Sequence, residues 1–597
     1  MTTYAKAATA PQRGFSGSLQ RSESAAKSLF FGEILEDNLF PYPVIPEADQ
    51  ATLRAICDAI DGFLAGKASD FKRWDVDGEQ PGEFIQSLRD MGLFGLIIPE
   101  QYGGLGLSNA GYARVLAQTS RYDSSVSLTI GAHSSIGLKG LLLFGSDAQK
   151  QHYLPKLATG ELIAAFCLTE SGSGSDAASI RSKATRNPDN SWSLDGEKIW
   201  ITNGGIAGFY TVFARTDTDA GKMTAFIVHA DDAGVSHGPH EDKMGIRSSN
   251  TCTVSFENVR LPADRVLGEV GKGFKVAMSI LNNGRTGLGG GAVGGMRKLI
   301  ELASAQALER KQFGRAIAEF GMVRKKIAQM QVDCFAAESA VWMVAYYIDS
   351  GCEDYSTEAA ITKVFASEAI QRTSHEALQI AAGNGFMKAY PYEKITRDSR
   401  ILSIFEGTNE ILRLYIALSG LKDLGDSLKE MKLAISDIFN NPIKGFGVLS
   451  GYAGRRLSGA TGIGQDRISQ SLPDALKPAA LIYERYTNEL AAASDAALRK
   501  YGKGIAEQQY ALERIGNVTI DLFVGLCTLA RAAMLTSSAD SNADMARTIA
   551  QLFAKQAKRR MSRQLRQLSF NEDAATDTLC SSVLEQGKSV FDVLNNH

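Results

Sequence analysis

Cysteine and histidine are scarce in this 597-residue chain, with seven of each, and proline is held to 14. The cysteines (Cys57, Cys167, Cys252, Cys334, Cys352, Cys527 and Cys580) form no CxxC pair and are odd in number. That argues against a disulfide framework and predicts reduced thiols in an intracellular protein. The one close histidine pair, His237 and His240, sits in a Gly-Pro loop with no cysteine beside it, so no metal site is expected. An excess of one charge is also lacking. Lys and Arg number 64 against 66 Asp and Glu, a net charge of -2, which makes nucleic acid an unexpected partner. No continuous apolar run reaches the roughly 18 residues of a membrane-spanning helix, and residues 137–144 are short and carry a lysine. No secretory h-region follows Met1. Residues 1–29 are rich in Ser and basic groups, with Glu23 the only acid, which predicts a disordered tail, with a cleaved transit segment as the alternative.

What is present is ordinary globular composition, 44% hydrophobic and 22% charged, at a length that suggests several domains. Helical spacing covers 51–64 and 84–91, a Gly-punctuated loop follows at 99–106, and 110–158 returns to helix with apolar residues on most faces, the mark of burial. From 161 the character changes. Short β-branched and aromatic runs at 163–169, 192–194, 198–202, 209–214, 223–228 and 251–256 alternate with turn residues at 187–190, 195–196, 203–205 and 231–232, predicting an antiparallel sandwich or barrel. Helical spacing resumes at 274–281, 294–310, 321–350, 355–382 and 411–418. A Gly- and Ser-rich stretch at 441–471 precedes a last helical block, 476–596. No internal repeat is visible. The reading is mainly α with a central β domain: an extension (1–45), a helical domain (46–160), a β domain (161–270), a helical bundle (271–425), a linker (426–475) and a C-terminal helical domain (476–597).

Four segments carry chemistry. In 166–176 a strand runs into a Gly- and Ser-rich loop; it can be a plain turn, or a loop whose N–H groups and hydroxyls meet a phosphate or a ring edge. Ala177 stands where a dinucleotide fingerprint would need a third glycine. In 198–205, alternation places Trp200 and Thr202 on one strand face, suited either to the core or to stacking on a flat cofactor. Arg310 to Arg315 closes a helix, where basic residues complement the dipole or reach for a diphosphate. In 404–410, Glu406 lies between apolar residues and Gly407. A carboxyl there has its pKa raised, which suits a general base, while Thr408 can equally be an N-cap with Glu410 in the first turn.

Together, and in this order, these segments resemble the acyl-CoA dehydrogenase family, most closely its very-long-chain type. The resemblance runs from about residue 31 to the C-terminal block. It implies a helical N-terminal domain, an antiparallel β-barrel or sandwich, a four-helix bundle and an added C-terminal helical domain, in a homodimer that binds FAD. It further implies dehydrogenation of long-chain acyl-CoA to trans-2-enoyl-CoA in fatty acid β-oxidation, with electrons passed to an electron-transfer flavoprotein. Glu406 matches the catalytic base and Arg285 a supporting arginine; the other base position found in the family is Gly284 here. Phe166, Leu168, Thr169, Gly174, Ser175, Trp200, Ile201 and Thr202 match residues at the flavin and acyl-CoA. Arg310, Gln312 and Phe313, with Gln379, Ile380, Ala381, Ala382 and Gly383, match segments that hold FAD across the dimer, Ala382 replacing a usual glycine. Thr408 and Glu410 match residues near the adenosine half. Ser175, Asn282, Arg285 and Gly407 are implied at the substrate, and the small Ser127 and Gly131 at the bottom of a deep acyl pocket. Peripheral membrane contact is expected of 435–457, whereas the basic helix at 546–568 reads as a solvated face. The expected place is a cytoplasm, peripheral to the inner membrane, or else the mitochondrial matrix. An acyl-CoA oxidase and a scaffold for respiratory-complex assembly are the alternative functions.

Overall fold

The computed structural model describes residue 19 and residues 21–217, 222–436 and 468–591; for residues 48 and 427–436 only the backbone is described. Helices come first: α1 (Ala25–Ser28), α2 (Glu47–Leu64), α3 (Ala68–Asp77), α4 (Gly82–Asp90), α5 (Asn109–Ser120), α6 (Ser124–Gly131), α7 (Lys139–Phe144) and α8 (Asp147–Thr159). Side chains set their starts. Ser108 accepts from Gly111 N at α5, Asp123 from Val126 N at α6, and Ser146 with Gln149 forms a reciprocal capping box at α8. A π-helical turn, Ala132–Gly137, links α6 to α7. The stretch Ser124–Phe144, like the later Gln509–Ser537, is long and apolar enough by composition to cross a bilayer, although no unbroken apolar run was expected to be. In the fold, 72% and 83% of their most apolar windows are buried inside the protein, so their apolar character serves a core.

The strands β1 (Ala164–Cys167), β2 (Lys183–Arg186), β3 (Trp192–Thr202), β4 (Phe209–Thr216), β5 (Met223–His229), β6 (Val235–His237), β7 (Thr251–Leu261) and β8 (Val266–Leu267) form one sheet in the order β6-β7-β3-β2-β4-β5-β8, with β1 on β4. Most pairings are antiparallel, but β1 and β2 both run parallel to β4. The turn expected at Asp195-Gly196 is instead an irregularity inside β3, whose register against β7 shifts between Leu194 and Gly196 and again between Lys198 and Ile201. A bulge adds a residue and twist without ending a strand.

The bundle follows: α9 (Gly273–Glu309), a hairpin of β9 (Lys311–Gln312) and β10 (Arg315–Ala316), α10 (Gly321–Asp349), α11 (Ser356–Ala381), α12 (Gly383–Phe386), α13 (Tyr392–Arg400) and α14 (Asn409–Ser436). The helical spacing at 274–281 and 294–310 belongs to one helix, continuous over 37 residues. Each interior glycine costs about 1 kcal/mol of helix propensity. Here the glycines permit close packing, because a Cβ on Gly290 or Gly294 would collide with the carbonyl oxygen of Ala113 or Ala117 on α5. The C-terminal block comprises α15 (Ile468–Ser471), α16 (Lys477–Tyr501), α17 (Gln509–Ser537), α18 (Ala543–Gln567) and α19 (Asp573–Gln586). Its core is continuous with that of the bundle. On α18 the outward residues Lys555, Lys558, Arg559, Arg563 and Arg566 are exposed, and Phe553, Ala557 and Met561 are buried. Of the stretch 435–457, everything from residue 437 on lies outside the described residues.

The tail expected over 1–29 ends earlier than predicted. Ala26, Leu29 and Phe30 are fully buried. Ser24 Oγ and Ala26 N donate to Glu358 Oε1 on α11 at 2.6 and 2.9 Å, and the Phe30 ring lies against Gly420 on α14. Two large apolar side chains and a buried acceptor outweigh a composition that reads as solvated.

Candidate active site

A cavity of about 360 Å³ opens where the N-terminal helices, the sheet and the bundle meet. Its lining includes Ser127 and Gly131 from α6, Phe166 from β1, Leu168, Thr169, Gly174 and Ser175 after it, Trp200, Ile201 and Thr202 from β3, Asn282 and Arg285 from α9, and Glu406 and Gly407 before α14. The fold thus gathers fourteen of the residues named from the sequence, drawn from segments up to 280 positions apart.

Glu406 and Gly407 take φ of +54° and +94° in succession. A non-glycine residue held there is strained, and such strain concentrates at functional sites. The turn is pinned from both sides: Arg285 Nη2 donates to the Glu406 carbonyl oxygen at 3.4 Å, and Lys363 Nζ to the Gly407 carbonyl oxygen at 2.7 Å. Glu406 Oε2 is buried and has no hydrogen-bond partner among the described residues, and the same holds for Arg285 Nε. Burial raises the Glu406 carboxyl above its ordinary range; Arg285 and Lys363 pull it back only in part. The carboxyl is thus predisposed to accept a proton from a guest in the cavity.

Trp200 sits in the second β3 bulge at φ +57° and is 64% exposed. The bulge breaks the simple alternation expected of Trp200 and Thr202; Trp200, Ile201 and Thr202 all reach the cavity. The loop after β1 is shaped by a pair that the sequence reading missed. Lys198 is fully buried, and its Nζ donates to Glu170 Oε1 at 2.7 Å and to the Leu168 carbonyl at 3.1 Å. The Glu170 carboxylate also accepts from Arg181 N and from Ser182 N and Oγ. Burial alone would raise Glu170, but these donors hold its carboxyl below the usual value. Lys198 stands in the quoted motif, so its presence was visible; its partner was not, because nothing local links positions 170 and 198. Lys363 gave no signal at all, being one lysine in a helical stretch.

The remaining named residues lie elsewhere. Arg310 and Gln312 are exposed in the hairpin, and Phe313, at φ +53°, is 93% exposed. At the end of α11, Gln379, Ala382 and Gly383 are exposed, with Ala382 at φ +53°, while the Ile380 and Ala381 side chains face the core. Those two can contact a ligand only through their backbone. Both segments belong to one end of the bundle: α10 and α11 are joined there by the Lys326–Glu376 pair, and the exposed Met322 and Phe386 lie beside them. Thr408 Oγ accepts from Ile411 N at 3.4 Å, a weak N-cap, and Glu410 is exposed. One group of ligand-type side chains exists among the described residues, His229, Asp231 and Asp232, but the Arg265 guanidinium bonds to His229 Nδ1 at 2.9 Å and to Asp232 Oδ2 at 3.5 Å.

Three domain families of acyl-CoA dehydrogenases match the chain: the N-terminal domain over residues 50–161, the middle domain over 165–259 and the C-terminal domain over 271–421. The ACAD9/ACADV C-terminal domain matches 474–589. The mitochondrial very long-chain specific acyl-CoA dehydrogenases of Bos taurus and Homo sapiens are each 43% identical over 86% of this chain and 79% of theirs. Among solved structures, an acyl-CoA dehydrogenase complexed with FAD from Bacillus anthracis superposes with a TM-score of 0.78 at 29% identity, covering 93% of this chain and 94% of that one. The butyryl-CoA dehydrogenase of Megasphaera elsdenii gives 0.60 at 35% identity, covering 63% of this chain and 99% of its own.

Proposed function

Because this chain belongs to the acyl-CoA dehydrogenase family, we infer that its cavity holds a long-chain acyl-CoA thioester and that Glu406 removes the α-proton. The protein is an FAD-dependent oxidoreductase of fatty acid β-oxidation. The observation that carries the assignment of the base is the buried, unpartnered Glu406 Oε2 at an otherwise largely apolar cavity.

The residues at the cavity rim suit FAD. Trp200 offers an exposed aromatic plane, Thr169, Ser175 and Thr202 offer hydroxyls, and a Cβ on Gly172 or Gly174 would meet nothing within 4 Å, leaving the backbone open to a ligand. FAD, when bound, supplies the acceptor for the hydride that leaves the β-carbon. The chain supplies the rest. Leu281, Leu288, Phe405 and Leu412 wall the acyl chain and keep water from the reacting carbons. The Glu406 N–H is the chain's donor to the thioester oxygen, a device typically worth about 3 kcal/mol per donor. The Glu406 carboxylate takes the α-proton, and the product is a trans-2-enoyl-CoA.

The exposed end of the bundle bearing Phe313, Gln379, Ala382 and Gly383 is the homodimer face, where each subunit completes the FAD site of the other. The electrons pass on to an electron-transfer flavoprotein, and the mitochondrial names of the relatives point to the mitochondrial matrix as the compartment. The test is anaerobic mixing of the flavin-loaded protein with hexadecanoyl-CoA, beside a Glu406→Gln variant. Bleaching of the flavin in the wild type alone supports the reading. Equal bleaching in both assigns the base elsewhere, and a wild type that stays yellow rejects the substrate class.

A further inference from the structure

We propose that Lys363 is a positioning residue for the base: by holding the Gly407 carbonyl it keeps the Glu406–Gly407 turn in its left-handed form and the Glu406 carboxyl at the cavity. The assignment rests on Glu406 being the base and adds a residue that the four sequence segments do not contain.

Lys363 lies in the middle of α11 and is fully buried. A buried amine is costly unless its donors are satisfied. Here Nζ donates to the Gly407 carbonyl at 2.7 Å and to Asn409 Oδ1 at 2.9 Å, so both bonds fall on the three residues that follow the base. Asn409 is held in turn: its Nδ2 donates to Ser367 Oγ at 3.0 Å and to Glu368 Oε1 at 3.1 Å. The two α11 residues one turn beyond Lys363 therefore grip the first residue of α14. The support continues outward, from Glu368 to Arg413 at 2.7 Å and from Arg413 Nε to Asn517 Oδ1 at 2.7 Å. Asn517 belongs to α17, so the C-terminal domain braces the same turn from behind.

This arrangement answers a specific need. Two successive left-handed residues, one of them glutamate, do not hold that shape by propensity. Arg285 fixes the carbonyl of the first, from α9, and Lys363 the carbonyl of the second, from α11. Lys363 also faces the base electrostatically. The charged groups around it are Glu406, Arg285, Glu368 and Glu410, and around Glu406 they are Arg285 and Lys363, with the Tyr112 phenol nearby. Burial brings the Lys363 amine down to about 7, with Glu406 the main opposing influence.

The experiment uses the full chain loaded with FAD and the variants Lys363→Met, Lys363→Arg and Lys363→Gln. It measures kcat and KM for hexadecanoyl-CoA across pH, with flavin content and melting temperature alongside. For Lys363→Met, kcat is expected to fall roughly 100-fold, the scale of a misplaced catalytic group, with KM and flavin content near wild type. The acid limb of kcat/KM is expected to move to higher pH, because a cation that favours ionised Glu406 is gone. Lys363→Arg keeps the charge and should leave the limb in place. Wild-type kcat with an unshifted limb in a flavin-loaded Lys363→Met protein overturns the proposal. If that variant does not fold, Lys363→Gln decides: a fallen kcat with a shifted limb supports the role, and wild-type kcat with an unshifted limb rejects it. Failure of the base reading is recognised separately, by flavin bleaching in Glu406→Gln.

Discussion

The guanidinium of Arg285 holds Glu406 by its backbone: Nη2 lies 3.4 Å from the Glu406 carbonyl oxygen, while Nη1 is spent on Asn282 Oδ1 at 2.6 Å. A bidentate pair with the carboxylate would have stabilised the ionised form strongly and made a poor base. By gripping the carbonyl, Arg285 leaves the carboxyl free for substrate and still contributes a nearby positive charge.

That geometry sets the pH dependence. As the proposed base, Glu406 works only when ionised, and burial raises its pKa, so the acid limb of flavin reduction should lie above the ordinary carboxylate range. Arg285→Gln removes a charge that lowers this pKa and should move the limb further up. Glu406→Gln should slow flavin reduction by roughly 10²- to 10⁴-fold, the usual weight of a general base. Stopped-flow rates against pH check all three, and a limb at the ordinary carboxylate value would contradict the burial argument.

Chain-length preference should reside where Ser120, Ser127 and Gly291 line the cavity. Ser127 Oγ and Ser120 Oγ lie 3.7 and 3.9 Å from where a Cβ on Gly291 would stand. Gly291→Leu should therefore fill this part of the cavity and shift the preferred substrate toward short acyl chains, with hexadecanoyl-CoA losing most of its kcat/KM. A profile of kcat/KM from four to sixteen carbons reads the change. Equal wild-type activity on butanoyl- and hexadecanoyl-CoA would refute the long-chain assignment.

Glu358 should make stability fall as pH rises. Its carboxyl is fully buried and its pKa is pushed up to about 7, mainly by desolvation. The folded state binds a proton that the unfolded state has already released, so stability is fullest below the unfolded value and is lost as pH climbs through 7. The loss is at most about 3 kcal/mol for a shift of this size. Glu358→Gln keeps an acceptor for Ser24 and Ala26 and removes the titration. Its melting temperature relative to wild type should rise from about pH 5.5 to about pH 8; a pH-independent difference would show that this carboxyl does not titrate there.

Two α9 glycines should respond differently to alanine. Gly294→Ala forces a Cβ into the Ala117 carbonyl and should cost about 1 to 3 kcal/mol. At Gly291 the nearest atoms are in ordinary contact, so alanine should be tolerated or should stabilise by up to about 1 kcal/mol of helix propensity. Thermal melts of the two variants should separate them.

Phe313→Glu, placed on the exposed end of the bundle where Phe386 is 76% exposed, should give monomers with reduced flavin content. Analytical ultracentrifugation and flavin-to-protein ratios would show it. A dimeric, fully loaded variant would place the subunit contact elsewhere.

The order of helices, strands and helices was legible because hydrophobic period is a local property, and the segments around Trp200 and Glu406 were legible because each is short and contiguous. Expectations failed where a distant element decided the outcome. The glycines between 281 and 294 carry no helical spacing of their own and owe their place in α9 to α5 lying against them, and the tail read as solvated until Glu358 and Gly420 were found beneath it. The same limit hid the pairing of Glu170 with Lys198 and the part played by Lys363.

The sequence by itself determined the class of protein and its order of elements and singled out Glu406, since residue type and spacing along the chain carry that information. Tertiary structure decided which buried charges meet, where glycine is required and which cations hold Glu406 and Gly407 in their left-handed turn. Those outcomes depend on desolvation and contact between residues up to hundreds of positions apart, and no local pattern records them.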